Sequence, residues 1–218
     1  MAVQKTKNPM PEQDPKKRIK NFDEVPLGYG KEAAIAEAKR CLQCKNKTFV
    51  EGCPVEIDIH EFIQHIADGD FDKAAEIIKS KNTLPAISGR VCPYEGQCEG
   101  KCTLLKLGDP VGIGRLERFI ADYERNKGMK PPKKVKPTGK SVAVVGAGPA
   151  GLTCAGDLAK MGHKVTVYEA LHAPGGVLMY GIPEFRLPKE IVHAEVNFIK
   201  KLGAEINYDS VVGKTISV

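Results

Sequence analysis

The chain has 218 residues, enough for one large domain or two small ones, each with a core of its own. Its net charge of +6 is modest and gathers in one lysine-rich stretch, and no basic–aromatic interleaving marks a nucleic-acid surface. No apolar run approaches the length of a membrane span and the N-terminus holds no signal-peptide segment, so a cytoplasmic protein without a membrane anchor is expected.

Residues 1–22 are polar and proline-bearing, which predicts an extended arm lying on another surface. Gly30-Lys31-Glu32 opens a short alanine-rich helix (Ala33, Ala34, Ala36, Ala38) that ends at Arg40-Cys41. Cys41-Leu42-Gln43-Cys44 and Cys53-Pro54 follow. Asp58 and Asp70 are placed to cap two helices separated by Asp68-Gly69-Asp70. One carries Phe62, Ile63 and Ile66 on a face, the other Ala74, Ala75, Ile77 and Ile78, and the pair reads as a helical hairpin of plain core. After a Leu84-Pro85 turn come Cys92-Pro93, Cys98 and Cys102, and Ile113–Phe119 leads into a charged helix to about Asn126. Residues 128–139 (GMKPPKKVKPTG) have prolines and lysines without apolar periodicity and read as a linker. The expected domains are therefore a helical one over 1–127 and an α/β one over 140–218.

The second begins on a β-branched run, Ser141–Val145, that predicts a buried parallel strand. It turns into a helix over Gly146-Ala147-Gly148-Pro149-Ala150-Gly151. In that Gly-x-Gly-x-x-Gly pattern the first glycine allows the tight turn and the second lets backbone approach a pyrophosphate. The third packs helix on strand, and the helix N-terminus faces the negative charge. Leu152–Met161 supplies the helix, Gly162 its stop and Lys164–Tyr168 a second strand. Glu169, 23 residues after Gly146, falls where an acidic side chain meets an adenosine ribose. The run Pro174–Pro183 is too glycine-rich for an element and reads as a loop letting backbone approach a ligand. A helix from Leu187-Pro188 to Leu202 with Gly203 as its stop, then a strand over Ala204–Tyr208, complete the readable elements. Only the opening units of a doubly wound sheet are present, which predicts a longer polypeptide.

Six of the seven cysteines lie between residues 41 and 102. In a reducing compartment such a cluster points to metal ligation before disulfides. One Cys-x2-Cys, two Cys-Pro and a Cys-x3-Cys fit iron–sulfur spacing better than the paired knuckles of zinc, which stays the alternative. Two four-iron clusters take eight thiolates, and six cysteines leave two positions to other ligands or one cluster absent. Cys154, in the helix after the glycine turn, reads as a buried small hydrophobe. No side chain reads as a catalytic acid or base, and the five histidines share no ligand spacing.

Arg40–Cys44, Gly52–Pro54, Gly89–Pro93, Gln97–Cys102, Ile113–Phe119, Gly146–Gly151 and Gly175–Pro188 together resemble the family of the small (β) subunit of NADPH-dependent glutamate synthase. Its N-terminal domain recurs in the large subunit of bifurcating NADH-dependent ferredoxin:NADP oxidoreductase and in dihydropyrimidine dehydrogenase. The resemblance implies an α-helical domain with two [4Fe–4S] clusters, followed by the start of an α/β Rossmann-like FAD-binding domain. One cluster would take Cys53, Cys92, Cys98 and Glu117, and the other Cys41, Cys44, Cys102 and a cysteine eight residues after Cys41. That last position is Phe49, which cannot ligate iron. Three irons, a fourth ligand from water or a neighbouring side chain, and no cluster are the outcomes open to it. For FAD, the resemblance implies Gly146, Ala147, Gly148, Pro149, Ala150, Gly151, Glu169 and Ala170 around the ADP half. It places Gly175, Gly176, Val177, Gly181, Ile182 and Arg186 along the pyrophosphate and flavin side. The family's NADPH domain lies beyond these residues.

The function so implied is an oxidoreductase subunit that takes electrons from NADPH through FAD and clusters to a partner, the glutamate synthase large subunit. The alternative within that class is the bifurcating enzyme, with a ferredoxin-reductase-like small subunit as partner. The alternative of another class is a zinc-stapled, dinucleotide-sensing interaction module. Oligomeric state is left open.

Overall fold

The computed structural model describes residues 4–45, 48–129 and 135–217. It divides into two compact units, Met1–Gly128 and Met129–Val218.

The first unit is helical: α1 Pro15–Arg18, α2 Lys31–Ala38, α3 Thr48–Glu51, α4 Ile59–Asp68, α5 Phe71–Lys81, α6 Pro85–Val91 and α7 Ile113–Lys127, with three short 3-10 turns between α6 and α7. α4 and α5 form the expected hairpin. Gly69, at φ 81°, closes α4 by donating to His65 O and Ile66 O, and the Asp70 side chain accepts from Lys73 N at the start of α5. Asp58 holds the corresponding place before α4 without a side-chain cap bond. Phe62, Ile63, Ile66 and Ile78 are all but fully buried between the two. Each such side chain contributes roughly 1.5–3 kcal/mol through apolar burial.

Phe71 meets the rings of Phe119 and Tyr123 edge-on, at 5.1 and 5.2 Å between centroids, and so ties the hairpin to α7. The first half of α7 is buried nearly all round, from Ile113 through Ala121, as befits a central helix. Where a Leu84-Pro85 turn was expected, Pro85 opens α6, which lies against α7. A proline suits a first helical position because its missing N–H is one the helix leaves unpaired. The approach requires glycine: a Cβ on Gly89 would stand 2.5 Å from Arg118 N and 2.7 Å from its Cα.

The N-terminal arm lies on this same unit. Buried Glu37 accepts from Asn8 N (2.7 Å), Asn8 Nδ2 (2.9 Å), Gly112 N (2.8 Å) and Arg40 Nη1 (2.5 Å). Arg40 in turn donates to Gln4 O, Pro110 O and Asp109 O. Further along, Glu24 and Asp122 pair with Arg90 and Arg118, bracing the α6–α7 contact.

The second unit is a parallel three-stranded sheet, β1 Ser141–Val145, β2 Lys164–Tyr168 and β3 Glu205–Asn207, in the order β1-β2-β3. Val144 pairs with Val167, which pairs with Ile206. α8 Pro149–Lys160 packs on β1 and β2, and α10 Lys189–Lys201 packs on α8. Val165, Val167, Leu152, Leu187, Val192 and Ile199 form the solvent-free centre.

β1 is less buried than its composition predicts, with Val144 9 % exposed and Val145 69 %. It is one of the two outer strands, and among the described residues nothing pairs with its free edge. The run read as a loop contains a short helix, α9 Val177–Tyr180, stabilised by Met179 N and Tyr180 N donating to Gly176 O. Cys154 is exposed rather than buried, because α8 turns Leu152, Ala155 and Ala159 inward and leaves residue 154 on the outer side. Residues 130–134 of the expected linker lie outside the described residues. Thr138, toward its end, donates to Gly162 O (3.0 Å) and so belongs with the second unit.

Candidate metal and dinucleotide sites

The six clustered cysteines are free thiols, and they fall into two groups. Cys92 closes α6, Glu117 stands on α7, and the close helix approach at Gly89 brings them within electrostatic reach. Cys98, just before the Glu99–Lys101 3-10 turn, is likewise within reach of Glu117, and Cys53, in the segment after α3, is within reach of both Cys92 and Cys98. The second group is Cys41, Cys44 and Cys102, the latter two lying within electrostatic reach of Cys41. Cys44 Sγ also lies 3.6 Å from Thr103 Oγ1. Phe49 is 4 % exposed, in the buried cluster that contains Cys102, and offers no donor atom.

Glu117 is buried, and both of its hydrogen bonds fall on Oε1: Asn82 Nδ2 and Ser88 Oγ each donate at 2.7 Å. Burial raises its pKa to about 7 against the pull of those two donors. Burial likewise pushes the Cys92 thiol up to about 11, with Glu117 and Cys53 adding to the rise. Cys98 is pushed up further, by burial and then by Glu99 and Glu117. Cys41 is raised by burial, and Cys102 and Cys44 add to it. Acids that oppose one another's ionisation suit a positively charged centre, which reverses the sense and deprotonates its ligating thiols.

Among the described residues no three His, Cys, Asp or Glu side chains converge tightly enough for a single metal ion. Thiols in two groups of three, one with a carboxylate beside it, are the donor types that iron–sulfur clusters take. The fit is four donors for the Cys53 group and three for the Cys41 group.

In the second unit β1 ends at Gly146, whose φ of 91° turns the chain and whose N–H donates to Tyr168 O. A Cβ on Gly151 would stand 1.9 Å from Gly146 O, so only glycine fits there, whereas one on Gly148 meets nothing within 4 Å. Gly148 precedes α8 without a side-chain cap, which leaves first-turn amides such as those of exposed Ala150 and half-buried Gly151 to an anion. Pro149, at the first helical position, is exposed beside them. Gly175 N donates to Ala147 O at 2.7 Å, and a Cβ on Gly176 would stand 3.0 Å from Gly148 Cα. The two glycine turns expected along a dinucleotide thus lie against each other.

Glu169, 6 % exposed, accepts from Ala147 N (2.6 Å) through one oxygen and from Leu171 N (2.9 Å) through the other. Its carboxylate therefore shapes the first glycine turn, with remaining lone pairs for a hydroxyl. Ala170 is exposed beside it. Exposed Val177 opens α9, and Gly181 and Ile182 close it by donating to Val177 O. The exposed Arg186 side chain bonds to no atom of the glycine turns among the described residues.

Sequence reasoning missed Lys189, whose ammonium donates to Leu178 O (3.1 Å), Leu187 O (3.1 Å) and Ile182 O and so pins the 178–187 segment. The available signal was a cation in the first turn of a helix, where the dipole disfavours it. It also missed Lys7, which reaches across from the arm to pair with fully buried Glu99, between Cys98 and Cys102. Asn82 and Ser88, the partners of Glu117, had no local signal.

A helical unit with two groups of thiols, joined in sequence to a glycine-turn Rossmann start, is the plan of an iron–sulfur protein with a dinucleotide site, and the family matches bear out that class. Residues 18–129, more than half of the chain, match the family model of dihydropyrimidine dehydrogenase domain II, 4Fe-4S cluster, and the chain belongs to that family. Residues 144–191 match the NAD(P)-binding Rossmann-like domain. The chain is similar to the NAD-dependent dihydropyrimidine dehydrogenase subunit PreT of Escherichia coli K12, at 40 % identity over 197 residues (90 % of this chain, 48 % of the relative). It is similar to the glutamate synthase [NADPH] small chain of the same organism, at 38 % over 209 residues (94 % and 44 %). Against that organism's putative oxidoreductase AegA the identity is 39 % over 203 residues (92 % and 31 %). The chain spans about half the length of the first two relatives and less of the third. No helix among the described residues is long and apolar enough to cross a membrane.

Proposed function

We propose that this chain is the iron–sulfur and FAD-binding part of an electron-transfer oxidoreductase fed by NADPH, as in the glutamate synthase small subunit, with a larger catalytic subunit as the electron acceptor. The observation that carries the reading is that Glu117 and Cys53 both lie within electrostatic reach of the Cys92 and Cys98 thiols, in one unit of a chain whose other unit interlocks two glycine turns. When bound, FAD supplies two-electron exchange with a nicotinamide and the clusters supply one-electron relay, chemistry that belongs to the cofactors.

The residues of this chain bind and orient. The uncapped start of α8 and the space over Gly148 receive a pyrophosphate, and Glu169 holds the turn that shapes the ribose position. Val177, Gly181, Ile182 and Arg186 border the flavin side, kept in place by Lys189. Cys53, Cys92, Cys98 and Glu117 would hold one cluster, and the burial that raises the pKa values of Cys92, Cys98 and Glu117 keeps water from it.

Purification of the full-length protein under anaerobic conditions tests this. A brown protein that releases FAD on denaturation, and whose NADPH-reduced form passes electrons to a glutamate synthase large subunit, is the expected result. A colourless, zinc-containing protein, or one that releases no flavin, overturns it. Reduction of ferredoxin in place of glutamate formation would move the assignment to the bifurcating oxidoreductase.

A further inference from the structure

The iron–sulfur reading leaves the Cys41 group one donor short, and the position that the resemblance gives to its fourth ligand holds Phe49. Phe49, five residues past Cys44, lies in the buried cluster that includes Cys102 and against which Cys41 packs. Its helix, α3, rests on the Glu99–Lys101 turn that leads into Cys102. The next glycine fixes that contact, since a Cβ on Gly52 would stand 2.8 Å from Gln97 O. The ring of His60 covers Phe49, stacked at 6.3 Å between centroids and 12° between planes. The backbone of His60 is engaged by Gln43, inside the Cys41–Cys44 loop. A benzene ring held there has no lone pair for iron. Its apolar surface also offers a water none of the two to four polar partners that an ordered water needs.

We propose that Cys41, Cys44 and Cys102 hold a three-iron, four-sulfide cluster and that Phe49 is the residue that denies it a fourth iron. The inference rests on the iron–sulfur reading above. The balance requires no co-reactant: loss of one ferrous ion from [4Fe–4S]2+ leaves [3Fe–4S]0, with no electron added or removed. The other group, with Glu117, keeps four ligands and four irons.

The test is iron and acid-labile sulfide analysis of the anaerobically purified full chain, with EPR after mild oxidation. About seven irons per eight sulfides are expected from one four-iron and one three-iron cluster, together with the near-isotropic EPR signal of an oxidised three-iron centre. Phe49→Cys should raise the count to about eight and remove that signal, as a fourth thiolate completes the site. Phe49→Leu, apolar but not ligating, should leave both unchanged. If Phe49→Cys does not fold, Cys102→Ser in the parent chain serves instead, and should abolish the signal and leave about four irons.

About eight irons in the parent chain, or the EPR signal persisting in Phe49→Cys, overturns the inference. Iron confined to the Cys53 group also overturns it while sparing the function proposed above. Iron absent from every variant removes both.

Discussion

Replacing Lys189 by methionine keeps the length of the side chain and removes its charge, which separates two opposite expectations. Lysine in the first turn of a helix works against the dipole, so its loss from an exposed position would stabilise α10 by about 0.3–1 kcal/mol. Here the ammonium bridges three carbonyls, at 3.1 Å from Leu178 O, 3.1 Å from Leu187 O and in close contact with Ile182 O. Hydrogen bonds to a charged group contribute about 1.5–3 kcal/mol each when isolated. One half-buried ammonium shared by three acceptors yields less than their sum, because such contributions are not additive.

A net loss of about 2–3 kcal/mol for Lys189→Met corresponds to a roughly 30- to 150-fold increase in opening of the 178–187 segment. If FAD binds only to the closed segment, its apparent dissociation constant rises by up to the same factor. Hydrogen-exchange mass spectrometry of the segment and a flavin titration read the two effects separately. Unchanged exchange, or a thermal midpoint raised by the substitution, would refute the bridging role and leave Lys189 an ordinary surface cation.

Three further outcomes are expected. Glu169→Gln turns an amide NH2 toward either Ala147 N–H or Leu171 N–H and should cost about 1–3 kcal/mol in the second unit, seen as a lowered urea midpoint and weaker nucleotide binding; full retention of both would sink the assignment. Glu37→Ala leaves the Arg40 guanidinium, 3 % exposed, without its carboxylate. That should destabilise the first unit by about 3–5 kcal/mol and expose residues 4–12 to limited proteolysis, and a loss under about 1 kcal/mol would show that the arm's carbonyls suffice.

The third outcome concerns iron-free protein, in which Glu117 titrates at about 7 when folded and near 4.5 when unfolded. A folded-state pKa above the unfolded one means stability that is complete below about 4.5 and lost as pH climbs through 7. The loss amounts to roughly 3 kcal/mol at about 1.4 kcal/mol per pH unit. Thermal midpoints at pH 5 and pH 8 should differ in the parent and converge in Glu117→Gln. An equal difference in both would place the effect elsewhere.

Much of the architecture could be read because its signals are local. Gly146, Gly148 and Gly151 announce a turn whose steric demand is visible in the 1.9 Å that a Cβ on Gly151 would leave to Gly146 O. The Asp68-Gly69-Asp70 punctuation placed the hairpin for the same reason. Glu117 carried no local mark at all. Its burial follows from Gly89 letting α6 onto α7, a contact between residues nearly thirty apart in sequence. Only the resemblance singled it out. Cys154 was misplaced because alanines flank it on both faces of α8, so composition could not say which face turns inward. α6 was read as a turn because Pro85 both starts helices and breaks them, and a seven-residue helix offers too few apolar positions to decide. Lys189 and Lys7 act through backbone carbonyls and a distant carboxylate, which no sequence pattern records.

The pairing of Lys7 with Glu99 joins positions 92 apart. At about 5–20 residues per second, a ribosome needs roughly 5–18 seconds between making the first and the second. The strap that steadies the Cys98–Cys102 turn is therefore threaded early and fastened late, after α2 through α6 have been synthesised. Iron delivered before Glu99 has been made would meet thiols not yet held in register, so cluster loading belongs after the strap is fastened. A tag or truncation at the start of the chain would then show itself first as poor iron retention, well before any loss of helix.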